Sequence, residues 1–125
     1  MKRRFLIASI LSLSMLLPLG CATATSPTPP LAPGYYNPQD QTMGQILAAA
    51  NGYYNRIQQD TASGVFFPSP TEKSILNGVA SALNIANTTY LAYHNGTATE
   101  AQAQTAINAA QTQAQAAQAQ IPGVK

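Results

Sequence analysis

The chain has 125 residues, 46% of them apolar and only 8% charged, with a formal net charge of +2. An average soluble domain carries about a quarter of its residues charged, and a chain of this length holds at most one core of ordinary size. Its strongly polar chemistry amounts to six basic residues, four acids, one His and one Cys, too few for a metal centre or a nucleophile-based active site, so a non-enzymatic protein without a cofactor is expected.

Lys2, Arg3 and Arg4 precede an apolar run of 13 residues from Phe5 to Leu17. A bilayer-spanning helix needs about 20 apolar residues, so residues 1–20 read as a secretion signal that is removed rather than folded. Its removal takes three of the six bases, leaving Arg56, Lys73 and Lys125 against Asp40, Asp60, Glu72 and Glu100. The basic surplus therefore belongs to the signal, and nucleic acid is not an expected partner.

The stretch Leu17-Pro18-Leu19-Gly20-Cys21 resembles the lipobox of bacterial lipoproteins, in which a small residue precedes an invariant Cys that is diacylated, exposed by a dedicated peptidase and then N-acylated. The resemblance implies Cys21 as the lipid attachment residue and a membrane as the partner it holds. The cysteine count agrees, because a lone thiol in an exported protein has no partner for an internal disulfide. By resemblance to the sorting rule of enterobacterial lipoproteins, Ala22 after the Cys implies the outer membrane, on the side of the periplasm or the exterior. Ala22-Thr23-Ala24 also has the small-x-small form of an ordinary signal peptidase site, and a cut after Ala24 releases a soluble secreted or periplasmic helical module lacking Cys21.

Residues 21–36 read as a Pro/Thr/Ser-rich tether. Pro27, Pro29, Pro30 and Pro33 favour extended polyproline-type conformers, and at about 3.1 Å per residue the stretch 22–34 could lift a domain up to roughly 40 Å from the lipid surface. Three helix starts follow, each with a cap: Asn37 before Pro38 with Asp40 three on, Ser69 before Pro70 with Glu72, and Thr97 with Glu100. A short polar side chain there accepts from an orphan amide, and an acid at the third position faces the positive end of the helix dipole. Ser69 and Thr97 have the spacing of capping boxes. Gly64, Asn95-Gly96 and Pro122-Gly123 supply the stops.

Between starts and stops the apolar spacing steps by three and four. Met43, Leu47, Ala50, Tyr54 and Ile57 form the first stripe, widened by Ile46 and Tyr53. The second is Leu76, Val79, Leu83, Ala86, Tyr90 and Tyr93, and the third Ala103, Ile107, Ala110, Ala114, Ala117 and Ile121. With short connections these helices, about 38–62, 70–94 and 98–121, give an all-α, up-down-up three-helix bundle over residues 37–121, followed by a tail at 122–125. Tyr90, Tyr93 and Met43 should gather at the tether end, and Tyr54, Ile57, Leu76, Ile121, Val65, Phe66 and Phe67 at the far end. The repeated small residues Gly44, Ala48 and Gly52 are expected to form a groove for the alanine seam of the third helix. Ala101, Ala106, Ala109 and Ala116 widen that small-residue surface and suggest weak homo-oligomerisation.

Each acid has a structural use at this level: Asp40, Glu72 and Glu100 at helix starts, and Asp60 four residues after Arg56, the spacing of a surface ion pair. His94 falls in the last turn of the second helix, where its ring can face the terminal carbonyls. Tyr54, Tyr90 and Tyr93 lie on core stripes, which leaves Tyr35, Tyr36 and Tyr53 as the candidate ligand-facing aromatics. At its two ends and in its alanine-bearing helices the chain also resembles small lipoproteins of the Braun type, whose C-terminal Lys is linked to peptidoglycan. That resemblance implies Lys125 as a cell-wall attachment residue, with peptidoglycan or another envelope protein as partner. The expectation for function is a small cell-envelope lipoprotein with a structural or protein-interaction role.

Overall fold

The computed structural model describes residues 30–121; the signal, Cys21, the first part of the tether, the Pro122-Gly123 stop and Lys125 lie outside the described residues. Three helices account for about three quarters of the described residues: α1 (Pro38–Ala62), α2 (Pro70–His94) and α3 (Glu100–Gln120), with no strand among them. They form an up-down-up bundle in which α2 and α3 pack most closely.

The starts of α1 and α2 follow from their caps. Asn37 and Ser69 have extended backbones and accept from the amides of Asp40 and Glu72, while Glu72 closes a capping box by accepting from the Ser69 amide at 2.7 Å. The start of α3 differs from expectation. Its cap is Thr99, paired in a capping box with Gln102, and Thr97 instead donates its hydroxyl to the Ala92 carbonyl at 3.1 Å. Both pairs have the required spacing, and the α2 terminus decides between them. There the amides of Thr97 and Ala98 are spent on the Ala92 carbonyl, so the helix begins two residues later.

Both loops are closed by a glycine in the left-handed region. After α1, Gly64 (φ 73°) donates to the Thr61 carbonyl and Val65 to that of Asp60; after α2, Gly96 (φ 74°) donates to Tyr93 and Thr97 to Ala92. These paired backward bonds form Schellman turns, satisfy the last carbonyls and stop each helix where the sequence places a residue without a Cβ.

The expected stripes are the core: Met43, Leu47, Ala50 and Ile57 from α1, Leu76, Val79, Leu83 and Ala86 from α2, and Ala103, Ile107, Ala110, Ala114, Ala117 and Ile121 from the third helix and its end are all buried. Of these 14 side chains six are Ala, so the bundle holds little apolar volume and its helices approach closely. A polar clamp crosses it at mid-height. Asn51 and Asn87 exchange two amide hydrogen bonds of 3.1 Å, and each also donates to the carbonyl four residues back on its own helix.

Three packing expectations are corrected. Val65 and Phe67 are 76% and 80% exposed, and only Phe66 of that trio packs on the core, because the turn at Gly64 can direct one of three neighbouring side chains inward. Gly44, Ala48 and Gly52 do not receive the third helix. Gly44 is buried under the Tyr35 ring, whereas Ala48 and Gly52 are exposed, their row lying to one side of the inward α1 stripe. The Arg56–Asp60 pair is not closed either, for among the described residues the basic and acidic side chains within 4.0 Å of each other are His94 and Asp40.

The two glycines of α1 should therefore respond in opposite senses. A Cβ at position 44 would lie 2.6 Å from the Tyr35 hydroxyl oxygen and 2.8 Å from Cζ, so Gly44→Ala displaces the ring and destabilises by about 1–3 kcal/mol. A Cβ at position 52 meets nothing within 4 Å, so Gly52→Ala stabilises by about 0.5–1 kcal/mol. Urea unfolding of the two variants beside the parent reads both signs.

Candidate functional site

At the tether end the start of α1, the end of α2 and the start of α3 meet around one carboxylate. Asp40, the third residue of α1, has no exposed surface. Its Oδ2 accepts from the Tyr36 amide at 2.7 Å and its Oδ1 lies 2.9 Å from His94 Nε2. A carboxylate facing the ring nitrogen makes Nε2 the N–H-bearing donor. Burial on its own raises the pKa of Asp40; the Tyr36 amide, the nearby Tyr90 hydroxyl and His94 outweigh that and hold the acid below its ordinary value of 3.8.

His94 is 22% exposed and enclosed by aromatics. Tyr36 stacks on it at 4.7 Å and 28°, while Tyr90 and Tyr93 present edges at 4.6 and 5.5 Å. The Tyr36 hydroxyl donates to the His94 carbonyl at 2.7 Å, so a residue of the tether caps the C-terminus of α2. This corrects the expectation that the His94 ring itself turns to the terminal carbonyls: the buried carboxylate is the stronger acceptor, and Tyr36 takes over the carbonyl. The Tyr90 hydroxyl donates to the Asp40 carbonyl at 3.3 Å, and burial together with the adjacent carboxylate drives its pKa upward.

Glu100, released from a capping box by the later start of α3, accepts from Asn37 Nδ2 at 3.2 Å and from the Tyr93 hydroxyl at 3.4 Å. One residue of α3 is thereby joined to the cap of α1 and to the last turn of α2. Burial and the Glu100 charge both raise the Tyr93 pKa.

The three candidate aromatics take different places. Tyr35 is half-buried on Gly44, and Tyr36, 59% exposed, covers His94. Tyr53 packs part-buried against the core in mid-helix, and its hydroxyl is buried without a hydrogen-bond partner among the described residues. Tyr35 and Tyr36 are thus brought together at the carboxylate cluster and Tyr53 is not. Cys21 and Lys125 lie outside the described residues.

Chemically, a buried acid orienting an imidazole is the base-and-orienter part of a hydrolytic site. Here no hydroxyl or thiol is hydrogen-bonded to the ring among the described residues, and Tyr36 lies flat on it. Both Asp40 oxygens are occupied by groups of the fold itself. The arrangement acts as a staple joining residues 54 apart in the sequence. That pairing carries no local signal; the topology alone would have found it, since the start of α1 and the end of α2 must share one end of an up-down pair.

Comparison of the chain with protein-family models, with curated proteins and with solved structures gives no match.

A carboxylate held below its ordinary pKa contributes stability that is fully present above 3.8 and lost as pH falls through its lower folded value. Asp40→Asn should therefore cost about 1–3 kcal/mol at pH 7, where a part-buried ring donor loses its charged acceptor, and less at pH 2. Denaturant unfolding of parent and variant at the two pH values measures the convergence.

Proposed function

We propose that this protein is a small cell-envelope lipoprotein, held to its membrane through Cys21 and presenting a helical bundle with a structural or protein-interaction role rather than an enzymatic one. The observation that carries the reading is the position of Cys21, the single cysteine of the chain, four residues after the end of a 13-residue apolar run that itself follows a basic start. A diacylglycerol on the thiol plus an acyl chain on the exposed amine exceeds the two-chain condition for lasting attachment. No helix among the described residues is long and apolar enough to cross a membrane, so in this reading the lipid is the attachment.

The engagement of the acids supports a role without chemistry. Asp40 is bonded to Tyr36 and His94, Glu72 caps α2, and Glu100 bridges Asn37 and Tyr93. These three of the four carboxylates are spent on holding an end of the bundle together. The outer membrane is the expected location, with the bundle standing off the lipid surface on the Pro-rich segment.

Intact mass of the protein extracted from its native membranes tests the anchor. A chain beginning at Cys21 with three acyl chains' worth of added mass is the expected result, and Cys21→Ser should abolish both the added mass and membrane retention. A bare chain beginning at Thr25 would overturn the anchor and leave a soluble helical module.

A further inference from the structure

We infer that Asn95 is a site of covalent modification by water alone, its side-chain amide exchanged for a carboxylate through a cyclic imide formed with the Gly96 nitrogen. The dipeptide Asn-Gly occurs three times, at Asn51-Gly52, Asn77-Gly78 and Asn95-Gly96. In each pair the second residue lacks a Cβ, so nothing shields its backbone nitrogen from the neighbouring side-chain amide. The sequence ranks the three pairs equally, and the fold separates them.

Asn51-Gly52 lies inside α1 and Asn77-Gly78 inside α2. A helical backbone holds the next nitrogen away from the side-chain carbon and bonds its proton to the carbonyl four residues back, so attack there requires the middle of a helix to open. The Asn51 amide is also engaged with Leu47 and Asn87.

Asn95-Gly96 follows the last residue of α2, in the turn to α3. Both residues are exposed, the Asn95 side chain makes no hydrogen bond among the described residues, and a Cβ on Gly96 would meet nothing within 4 Å. Water therefore reaches both the attacking nitrogen and the leaving group. Bringing that nitrogen to Cγ takes rotation about the Asn95 ψ, which is 0°, and release of the turn amides from the Tyr93 and Ala92 carbonyls. Such opening is confined to a helix end and leaves the buried stripes in place.

The Gly96 nitrogen gives its proton to solvent and bonds to Asn95 Cγ; the Cγ–Nδ2 bond breaks, and Nδ2 leaves as ammonia with a proton from solvent. Water then opens the succinimide ring. Cleavage at Cγ leaves an ordinary Asp, whereas cleavage at the main-chain carbonyl routes the chain through Cγ as isoaspartate, longer by a methylene. The net change consumes water and releases ammonia, with no oxidation or reduction.

Either product places a carboxylate at the C-terminus of α2, where the helix dipole disfavours it. Isoaspartate also displaces the amides of Gly96, Thr97 and Ala98 that close the turn on Tyr93 and Ala92. The carbonyl that accepts from the Tyr36 hydroxyl belongs to the preceding residue, His94, and Glu100 beyond the turn holds α3 to Asn37 and Tyr93. Modification at Asn95 therefore slackens the end of the bundle that contains Asp40.

Warm, mildly alkaline incubation of the full chain, followed by peptide mass mapping with fragmentation that separates Asp from isoaspartate, tests the site. The Asn95 peptide should gain the mass of an amide-to-acid exchange at least about tenfold faster than the Asn51 and Asn77 peptides, and in strong denaturant the three rates should converge, because opening then costs nothing. Asn95→Ser should keep its urea midpoint on incubation while that of the parent falls. The inference is overturned if Asn95 in the folded chain reacts no faster than Asn51 or Asn77, or if denaturant does not bring the three rates together. A parent midpoint that stays constant while isoaspartate accumulates would overturn the slackening.

Discussion

A carboxylate sealed from water must find every hydrogen bond it needs inside the protein, and the tether end of this bundle is organised around that requirement. Asp40 sits at the third position of α1, where free amides and the helix dipole favour negative charge. The remaining compensation comes from outside the helix, through the Tyr36 amide and the His94 ring. Those two bonds determine the path of the chain before α1 and the level at which α2 ends. Tyr36 then returns its hydroxyl to the His94 carbonyl, so one side chain serves the segment before α1 and the end of α2 together.

The rest of the interior has little shape with which to choose an alignment. Six of the fourteen buried apolar side chains are Ala, and a slip of one helix along an alanine seam exchanges one small flat surface for another. Two polar features break that uniformity. The Asn51–Asn87 clamp at mid-height and the Asp40–His94 staple at the end both join α1 to α2; a shift would break the paired amides of the first and leave the buried carboxylate of the second without its partner. For α3 the corresponding constraint is Glu100, bonded to Asn37 and Tyr93. Burial supplies cohesion, and a few side-chain hydrogen bonds supply register.

How much of this was legible in the sequence varies with the range of the interaction. Helix starts, stops and inward stripes are local, and Asn37, Ser69, Gly64 and Gly96 could be read in place. Thr97 was misread because Thr97–Glu100 and Thr99–Gln102 have the same spacing, and only the backbone bonds of the preceding Schellman turn discriminate. His94 and Asp40 each had a sufficient local use, which concealed that they meet. Gly44 likewise suggested helix packing when its neighbour is an aromatic ring from the preceding segment. In each case the missing information was which partner a distant residue had already taken.

The up-down-up order also has a mechanical meaning. Pro30 and Ile121 lie at opposite ends of the bundle, and α1 and α3 run parallel about 30–37 Å along its length. Tension applied between those points, with one end held at a surface, draws α1 and α3 past each other along their axes instead of peeling them apart. Such sliding loads the side chains of the whole seam at once, and the alanines that make it thin also leave few projections to resist. Resistance then falls on the bonds at the Asp40 end, the end at which the chain before α1 enters the bundle.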